Sequence, residues 1–312
     1  MTLLYYDPRF LDHDTGDHPE SADRLRHIVA ELDSRGLAER CRRPEWQPAD
    51  DQRLAGVHSL SHVELLERLA ARGGGRVDPD TVISPPSVDV ARLASGAVCD
   101  AVERVMSDEA RHALCLVRPP GHHALAGRAM GFCLFNNVAV GAQAALERGA
   151  QRVLIVDWDV HHGNGTQAIF YDDPRVGYFS VHRWPYYPGT GSEDETGTGD
   201  GLGATRNLPL EFGVSRRDYQ SAVAGELEDF AERIRPELVL VSAGFDSHRA
   251  DPVGSLGLEV EDFQTLSALV TGIADSYAGG RVVSVLEGGY NPPVLAECVA
   301  VHLEQLLNTD NK

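Results

Sequence analysis

The sequence predicts an α/β fold, with a mainly parallel β-sheet flanked by helices and a site at the carboxyl ends of the strands. Three observations predict it: short apolar runs alternate with amphipathic segments, polar motifs follow the runs directly, and glycine is abundant. With 312 residues, of which 42% are hydrophobic, the chain can bury a substantial core. Because α/β domains often reach this length as one unit, we expect residues 1–312 to form a single domain.

Five apolar runs have the length and composition of buried parallel strands. They are ALCLV (113–117), RVLIVD (152–157), VGYFSV (176–181), ELVLVS (237–242) and RVVSVL (281–286). Strands that alternate with helices indicate βαβ units, in which the crossover helices cover both faces of a parallel sheet.

Alanine-rich amphipathic segments between most of these runs predict helices. The clearest are residues 136–149, 217–234 and 260–280, the last of which ends on a Gly-Gly stop signal. The glycine-rich segment 188–203 is long for a structureless loop, which indicates a functional loop rather than a domain boundary. Gating of the entrance and contact with a neighbouring molecule are both compatible with this loop.

Charge and composition exclude several classes of partner. The chain has 28 basic and 47 acidic residues, a net charge of −19. Nucleic acid and anionic membranes need clustered Lys and Arg, so neither is expected as a partner, whereas a cationic substrate would be attracted. Without a signal peptide or an apolar span, the expectation is a cytoplasmic protein, as a monomer or a homo-oligomer.

The five cysteines are scattered, and no two of them form a CxxC pair. Their odd number and spacing predict neither a disulfide framework nor a zinc knuckle. Cys115 and Cys133 lie among apolar residues and are expected in the core.

Four polar motifs follow four of the predicted strands. In chain order they are RPPGHHA (118–124), VDWDVHHGNGTQ (156–167), AGFDSHRADP (243–252) and EGGYN (287–291). Ligands of open parallel sheets bind outside the carboxyl ends of the strands. We therefore expect the four motifs to meet at one edge of the sheet.

The second motif has the spacing of a metal site. Asp157, Asp159 and His161 alternate, so their side chains share one face of an extended chain. When two carboxylates and an imidazole point to the same place, the carboxylates repel each other and the loss of their hydration is costly unless a cation lies among them. Zn²⁺ accepts both oxygen and imidazole ligands. An exposed loop is the alternative for this pattern alone. Asp246 is the best third ligand; Asp251 ranks second because Asp-Pro more often starts a turn.

The first and last motifs contain candidate catalytic groups. The Pro-Pro-Gly turn before His122 and His123 would direct both imidazoles into a cleft. A carboxylate behind a histidine fixes its tautomer and raises its basicity, as a general base requires, and Asp157 is available for this role. Tyr290 follows two glycines and could donate a hydrogen bond to a developing oxyanion, although an ordinary loop aromatic also fits.

Together, RPPGHHA, GFCLFNN, VDWDVHHGNGTQ, SAGFDSHRADP and LEGGYN resemble the zinc-dependent histone deacetylase family, in particular its class II members. The bacterial relatives are included, namely histone deacetylase-like and acetylpolyamine amidohydrolases and acetoin-utilisation proteins. The resemblance extends from HPESADRL (18–25) to EGGYN. It implies the arginase–deacetylase α/β fold.

The resemblance also assigns roles to residues. It implies a Zn²⁺ site, with Fe²⁺ as the alternative metal, formed by Asp159, His161 and Asp246. The implied catalytic residues are His122, His123, Tyr290, Asp157 behind His122, and Asn164 behind His123, where class I members carry aspartate. An inner K⁺ site is implied at Asp157, Asp159, His161 and Ser180. The implied substrate tunnel is lined by Gly131, Phe132, Tyr187 and Val253, and Arg24 matches an arginine near the acetate channel.

The implied reaction is hydrolysis of an N-acetylated amine by a metal-activated water. Acetyl-lysine in proteins or peptides is the favoured substrate, and acetylpolyamines or other small acyl-amines are the alternative. Polyamine-specific class II relatives carry glutamate at the position of Val253, and the short segment 121–132 lacks the insertion that narrows the entrance of bacterial acetylpolyamine enzymes.

Two other functions are compatible with parts of this pattern. A dinuclear ureohydrolase needs a second carboxylate two residues after the third ligand, but Asp246 is followed by Ser247 and His248. A non-catalytic protein that binds acylated ligands or acts as a sensor is the other alternative. Loss of the tyrosine or of a metal ligand would indicate such a protein, and the sequence retains them all.

Overall fold

Seven parallel strands form the central sheet of the structure, a computed structural model that describes residues 1–309. Two further strands form a small antiparallel ladder. In chain order the strands are β1 (Thr2–Tyr5), β2 (Gly75–Arg76), β3 (Val82–Ile83), β4 (His112–Cys115), β5 (Val153–Asp157), β6 (Val176–Arg183), β7 (Thr205–Leu210), β8 (Leu238–Ala243) and β9 (Val282–Leu286).

The order of the central sheet is β1-β4-β9-β8-β5-β6-β7. Every neighbouring pair in it is parallel, as the βαβ pattern predicts. The four strands that precede the polar motifs, β4, β9, β8 and β5, are adjacent in this order. The sheet therefore brings the four motifs to one edge.

Helices cover both faces of the sheet. They are α1 (Asp23–Ser34), α2 (Asp51–Ala55), α3 (Leu60–Ala71), α4 (Ser87–Met106), α5 (Asn137–Glu147), α6 (Asn164–Phe170), α7 (Arg216–Ile234), α8 (Val260–Tyr277) and α9 (Pro292–Thr309). Helices α4 and α5 pack together against β4, β9, β5 and β8. The other layer packs in the order α1, α9, α8, α7. Helices α7 and α8 contact the sheet, and so does α9, through the hydrogen bond between His302 and Ser284 of β9.

The structure confirms the predicted fold class and the five predicted strands, with boundaries that move by one or two residues. Strands β1 and β7 were not predicted. The short β1 begins at the second residue of the chain, and β7 is a partly exposed edge strand that contains Pro209. A proline and a mixed burial pattern are tolerated at a sheet edge but weaken the sequence signal for a strand.

The three predicted helices are confirmed as α5, α7 and α8. Asn136 caps α5, since its side-chain oxygen accepts the N–H of Ala139 at 3.0 Å. The Asn136 amide nitrogen also donates to the carbonyl of Ala124 at 3.2 Å and to Thr166 Oγ1 at 3.1 Å. This cap therefore ties the start of α5 to two of the polar motifs.

Cys115 and Cys133 are fully buried and form no disulfide, as expected for core residues. Among residues 1–309, no helix combines the length and the apolar composition that crossing a membrane requires.

Candidate active site

Asp159, His161 and Asp246 lie together at the carboxyl ends of β5 and β8. One potential ligand atom from each side chain lies within 4.8 Å of the other two. His161 Nδ1 is 3.0 Å from Asp159 Oδ1 and 3.1 Å from Asp246 Oδ2. The residues expected to bind metal thus converge from two separate motifs.

The electrostatics of these residues suit a divalent cation. All three are buried, where an unpaired charge is costly. Burial and the negative charge of Asp159 raise the pKa of Asp246 to about 7. Burial alone would raise the pKa of Asp159, but the imidazoles of His122 and His161 hold it below its usual range. A cation would offset the repulsion between the two carboxylates, and Zn²⁺ accepts both oxygen and imidazole ligands.

Backbone groups and glycines orient the two carboxylates. The N–H of Gly288 donates to Asp159 Oδ2, and the N–H of Val160 donates to Asp246 Oδ1, both at 2.8 Å. A Cβ at Gly244 would lie 2.1 Å from Asp159 Oδ2, and a Cβ at Gly288 would lie 2.2 Å from Asp246 Oδ2. Only glycine leaves room for the carboxylates at these two positions.

Asp251, the alternative third ligand, binds backbone groups instead. Its Oδ2 accepts the N–H of Tyr290 at 2.6 Å, and its Oδ1 accepts the N–H groups of Val253 and Gly254 at 2.9 and 2.8 Å. The geometry therefore favours Asp246 over Asp251 as the third ligand.

His122 and His123 lie side by side, with ring centroids 4.0 Å apart. His122 Nδ1 is 3.0 Å from Asp157 Oδ2, and His123 Nδ1 is 2.8 Å from Asn164 Oδ1. Asp157 is the last residue of β5 and Asn164 the first of α6. Each histidine thus has a different partner, one charged and one neutral.

These partners give the histidines opposite protonation behaviour. Burial alone would lower the pKa of His122, but the charges of Asp157 and Asp159 outweigh it and raise the pKa to about 10. Burial lowers the pKa of His123 well below its ordinary value, and the positive charge of His122 lowers it further. The carboxylate of Asp157 thus favours the imidazolium form of His122, whereas burial favours the neutral form of His123.

A cavity of about 270 Å³ reaches His161, one of the three expected ligands. Its lining residues are Asp80, His123, Gly131, Phe132, His161, Tyr186, Tyr187, Val253 and Tyr290. All four residues expected in the substrate tunnel are among them. The ring of Tyr187 lies 5.2 Å from that of His123, and the ring of Phe132 lies 5.7 Å from that of Tyr290, in both cases between centroids.

Tyr290 is buried in the wall of this cavity, and burial raises the pKa of its phenol well above the ordinary value. The phenol therefore stays protonated and can donate a hydrogen bond. The guanidinium of Arg24 lies behind the phenol ring, 5.0 Å from its centroid. Arg24 also donates to the carbonyls of Gly289, at 2.6 Å, and of Glu287.

Ser180, expected at the inner cation site, is the register partner of Asp157 across β5 and β6. Asp157 Oδ2 also accepts a hydrogen bond from the Tyr178 hydroxyl at 3.1 Å. Ser180 Oγ lies 2.9 Å from His182 Nδ1. Asp157 and Ser180 thus lie side by side on adjacent strands.

The glycine-rich segment 188–203 is fastened to the residues that follow His161. Thr190 Oγ1 lies 2.8 Å from His162 Nδ1, and the carboxylate of Glu195 accepts from Gln167 Nε2 at 2.5 Å. The segment contains one short 3₁₀ helix, Gly199–Gly201. Through Thr190 and Glu195 it supports the backbone next to the expected metal site.

Asp80 and Tyr186 line the cavity but were not predicted from the sequence. The Tyr186 ring stacks on that of His161 with centroids 5.4 Å apart, and its hydroxyl donates to the carbonyl of Val253 at 2.5 Å. Its position next to Tyr187 was an available signal. Asp80 lies in a turn without a recognisable motif, and only the fold brings it to the cavity.

Comparison with known proteins gives consistent matches over most of the chain. The family model described as "Histone deacetylase domain" matches residues 18–306. The histone deacetylase-like amidohydrolase of Pseudomonas aeruginosa is 39% identical over 291 residues, which cover 93% of this chain and 77% of that protein.

Two further matches are a human protein and a domain of known structure. Human polyamine deacetylase HDAC10 is 40% identical over 324 residues, which cover 98% of this chain but 48% of that protein. The crystal structure of the HDA15 HD domain superposes with a TM-score of 0.94 at 37% identity, covering 98% of this chain and 89% of that one.

Proposed function

The chain belongs to the histone deacetylase family of amide hydrolases, and we propose that it hydrolyses N-acetylated amines with the help of a bound Zn²⁺ ion. One observation carries this proposal. Phe132, Tyr186 and Tyr187 line a cavity that also reaches His123 of the histidine pair and the phenol of Tyr290. The same cavity reaches His161, one of three convergent ligand-type residues. The seven-stranded sheet supports all of these groups, so we propose that the chain acts as one catalytic domain.

Asp159, His161 and Asp246 would hold the metal. Three protein ligands leave a coordination position open, which is typical of catalytic rather than structural zinc. When bound, Zn²⁺ supplies Lewis acidity that polarises the acetyl carbonyl and lowers the pKa of a water molecule. Fe²⁺ is the alternative metal, and we propose a K⁺ ion at Asp157, Asp159, His161 and Ser180.

The protonation behaviour of the histidine pair suggests a division of roles. His123 is neutral and lines the cavity, so it can accept the proton of the attacking water as a general base. His122, held by Asp157, keeps a positive charge beside the reacting groups. A histidine of the pair then protonates the leaving amine, which completes the transfer.

Tyr290 would donate its phenol proton in a hydrogen bond to the oxyanion that forms on the substrate carbonyl. Its backbone N–H is held by Asp251, and the guanidinium of Arg24 lies behind its ring. The position of Arg24 on the inner side of Tyr290 supports the proposal that Arg24 borders an exit for acetate.

Acetyl-lysine in proteins or peptides is the substrate that we propose. Phe132 and Tyr187 on the cavity walls suit a slender alkyl chain, and Val253 offers no negative charge for the distal amines of a polyamine. An acetylpolyamine is the second candidate, because one relative, 40% identical to this chain, is named a polyamine deacetylase.

The test is hydrolysis of a fluorogenic acetyl-lysine peptide and of acetylspermidine, measured side by side with and without a metal chelator. Tyr290→Phe is the matched control, because it removes only the phenol oxygen. We expect chelator-sensitive turnover of the peptide and a kcat that falls by about 10²–10³-fold in the variant, as for other oxyanion donors.

Preference for acetylspermidine would replace the proposed substrate with the polyamine. An absence of turnover of both substrates by the zinc-loaded protein would contradict the catalytic proposal and favour a protein that binds acylated ligands without hydrolysing them.

A further inference from the structure

Glu287 is a fully buried carboxylate that the proposed reaction leaves without a role. It directly follows β9, at the start of the EGGYN motif. Within residues 1–309, no Lys or Arg forms an ion pair with its carboxylate. Because burying a charge is costly, a carboxylate in this position needs other partners that offset the loss of water.

Those partners are hydrogen-bond donors from two other strand ends. Glu287 Oε2 accepts the N–H of Gly121 at 2.6 Å and that of His122 at 3.2 Å. Its Oε1 accepts the hydroxyl of Ser242 at 3.4 Å. The two backbone N–H groups can only donate, so they need the acceptor oxygen that Glu287 supplies.

The turn that Glu287 binds carries the histidine pair. On its other side, the carbonyl of His122 accepts the N–H groups of Gly165 and Thr166 at 3.0 and 3.1 Å. A Cβ at Gly121 would lie 2.5 Å from the backbone nitrogen of Asn137, so the turn is packed closely against the start of α5. Glu287 accepts the two N–H groups on the remaining side, and these would be unsatisfied without it.

We propose that Glu287 is a positioning residue, which fixes the backbone of the turn at Gly121 and His122 and thereby sets the place of both imidazoles in the cavity. It acts through the histidines and touches no substrate atom, since it does not line the cavity. The catalytic consequence rests on the proposed deacetylase function, but the hydrogen bonds themselves do not.

Two substitutions of Glu287 distinguish an effect on the position of the histidines from an effect on the stability of the fold. Glu287→Gln keeps an oxygen that can accept from Gly121 and His122, and the Ser242 hydroxyl can accept from the new amide. Glu287→Ala removes every acceptor. Asp262→Ala is the matched control, because Asp262 is also a buried carboxylate that accepts a backbone N–H, that of Glu259 at 2.8 Å, but it caps α8 instead.

In the zinc-loaded enzyme we expect Glu287→Ala to lower kcat about 10²-fold, the effect of displacing catalytic groups by about 1 Å, with KM unchanged. Glu287→Gln should recover at least about tenfold of this loss, because it restores the acceptor that holds the turn. Asp262→Ala should lower the unfolding temperature and leave kcat as in the wild type.

A spectroscopic measurement is independent of activity. A short hydrogen bond to a carboxylate moves an amide proton far downfield, so the Gly121 amide should be displaced downfield in the wild type. It should move upfield in Glu287→Ala, and by a smaller amount in Glu287→Gln, which keeps a neutral acceptor. If the wild type hydrolyses neither substrate, the proposed function fails while this signal still tests the contact.

Three results would overturn the inference. The first is a Gly121 amide that does not respond to Glu287→Ala. The second is a wild-type kcat in that variant. The third is an equal loss of kcat in Glu287→Ala and Glu287→Gln, because charge rather than position would then explain it.

Discussion

His122 and His123 show how two adjacent residues of one type acquire different chemistry. Their rings are 4.0 Å apart and both are buried, yet one is backed by a carboxylate and the other by an amide. A carboxylate stabilises an imidazolium, whereas the amide of Asn164 only accepts a hydrogen bond. The difference between the histidines therefore comes from the residues behind them.

Asn164→Asp should move the acid limb of the kcat/KM profile to higher pH. The new carboxylate would lie at the position of Asn164 Oδ1, 2.8 Å from His123 Nδ1, and its negative charge would raise the pKa of His123. His123 would then be protonated, and unable to act as a base, at a higher pH than in the wild type. The measurement is kcat/KM against pH, with Asn164→Ala as the control that adds no charge. An acid limb that stays in place would contradict the role of His123 as the base.

At the scale of elements, close approaches between helices and loops support the sheet edge that carries the site. Helix α4 packs against β4, which precedes the histidine turn, and against α5, which follows it. Gly96 in α4 permits the approach of the 47–49 segment, because a Cβ there would lie 2.1 Å from the carbonyl oxygen of Gln47. Because the contacted atom belongs to the backbone, it cannot move aside as the end of a flexible side chain could.

Gly96→Ala should lower the free energy of unfolding by about 1–3 kcal/mol, the usual cost of overpacking, with the upper end favoured by the backbone contact. Gly272 in α8 is the matched control, because its Cβ would meet nothing within 4 Å. Gly272→Ala should therefore raise stability by about 0.5–1 kcal/mol. Urea denaturation measures both variants. Equal effects of the two substitutions would refute the close approach at Gly96.

His302 of α9 links three elements and should make stability depend on pH. Its ring nitrogens lie 2.6 Å from Ser267 Oγ in α8 and 2.9 Å from Ser284 Oγ in β9. Burial lowers the pKa of His302 to about 3, so the folded state does not take up the proton that the unfolded chain binds below about pH 6.5. The contribution of His302 is therefore complete above that pH and declines as the pH falls towards 3.

The free energy of unfolding of the metal-free wild type, minus that of His302→Gln, should decrease by about 2 kcal/mol between pH 7 and pH 5. Glutamine retains a hydrogen-bonding side chain but does not titrate, so the difference isolates the histidine. Denaturation in urea at the two pH values gives the result. Parallel pH dependences of the two proteins would show that His302 is protonated in the folded state.

For the whole molecule, the net charge of −19 and the buried acidic groups of the site act in the same direction. Both favour the binding of cations, and the site concentrates two carboxylates and one imidazole within 4.8 Å. Because these groups come from the ends of β5 and β8, a metal would join two central strands of the sheet. Metal binding should thus be measurable as global stability.

Removal of zinc by a chelator should lower the unfolding temperature of the whole chain. A ligand that binds only the folded state at 1,000 times its Kd contributes about 4 kcal/mol. Asp246→Asn is the control, because it replaces one of the three ligands with a neutral group of the same shape. Its unfolding temperature should not change with zinc or chelator. A wild-type protein whose unfolding temperature also stays the same with zinc and with chelator would contradict the metal site.

The sequence alone was sufficient to predict the fold class, five of the strands and the grouping of Asp159, His161 and Asp246. These follow from local rules, namely apolar runs, alternation along a strand and the meeting of parallel strand ends. Only the tertiary structure decided that β4, β9, β8 and β5 are adjacent, that Asp80 and Tyr186 line the cavity, and that Glu287 holds a turn 165 residues away. Strand order and side-chain contacts depend on how all helices pack on the sheet, which no local pattern encodes.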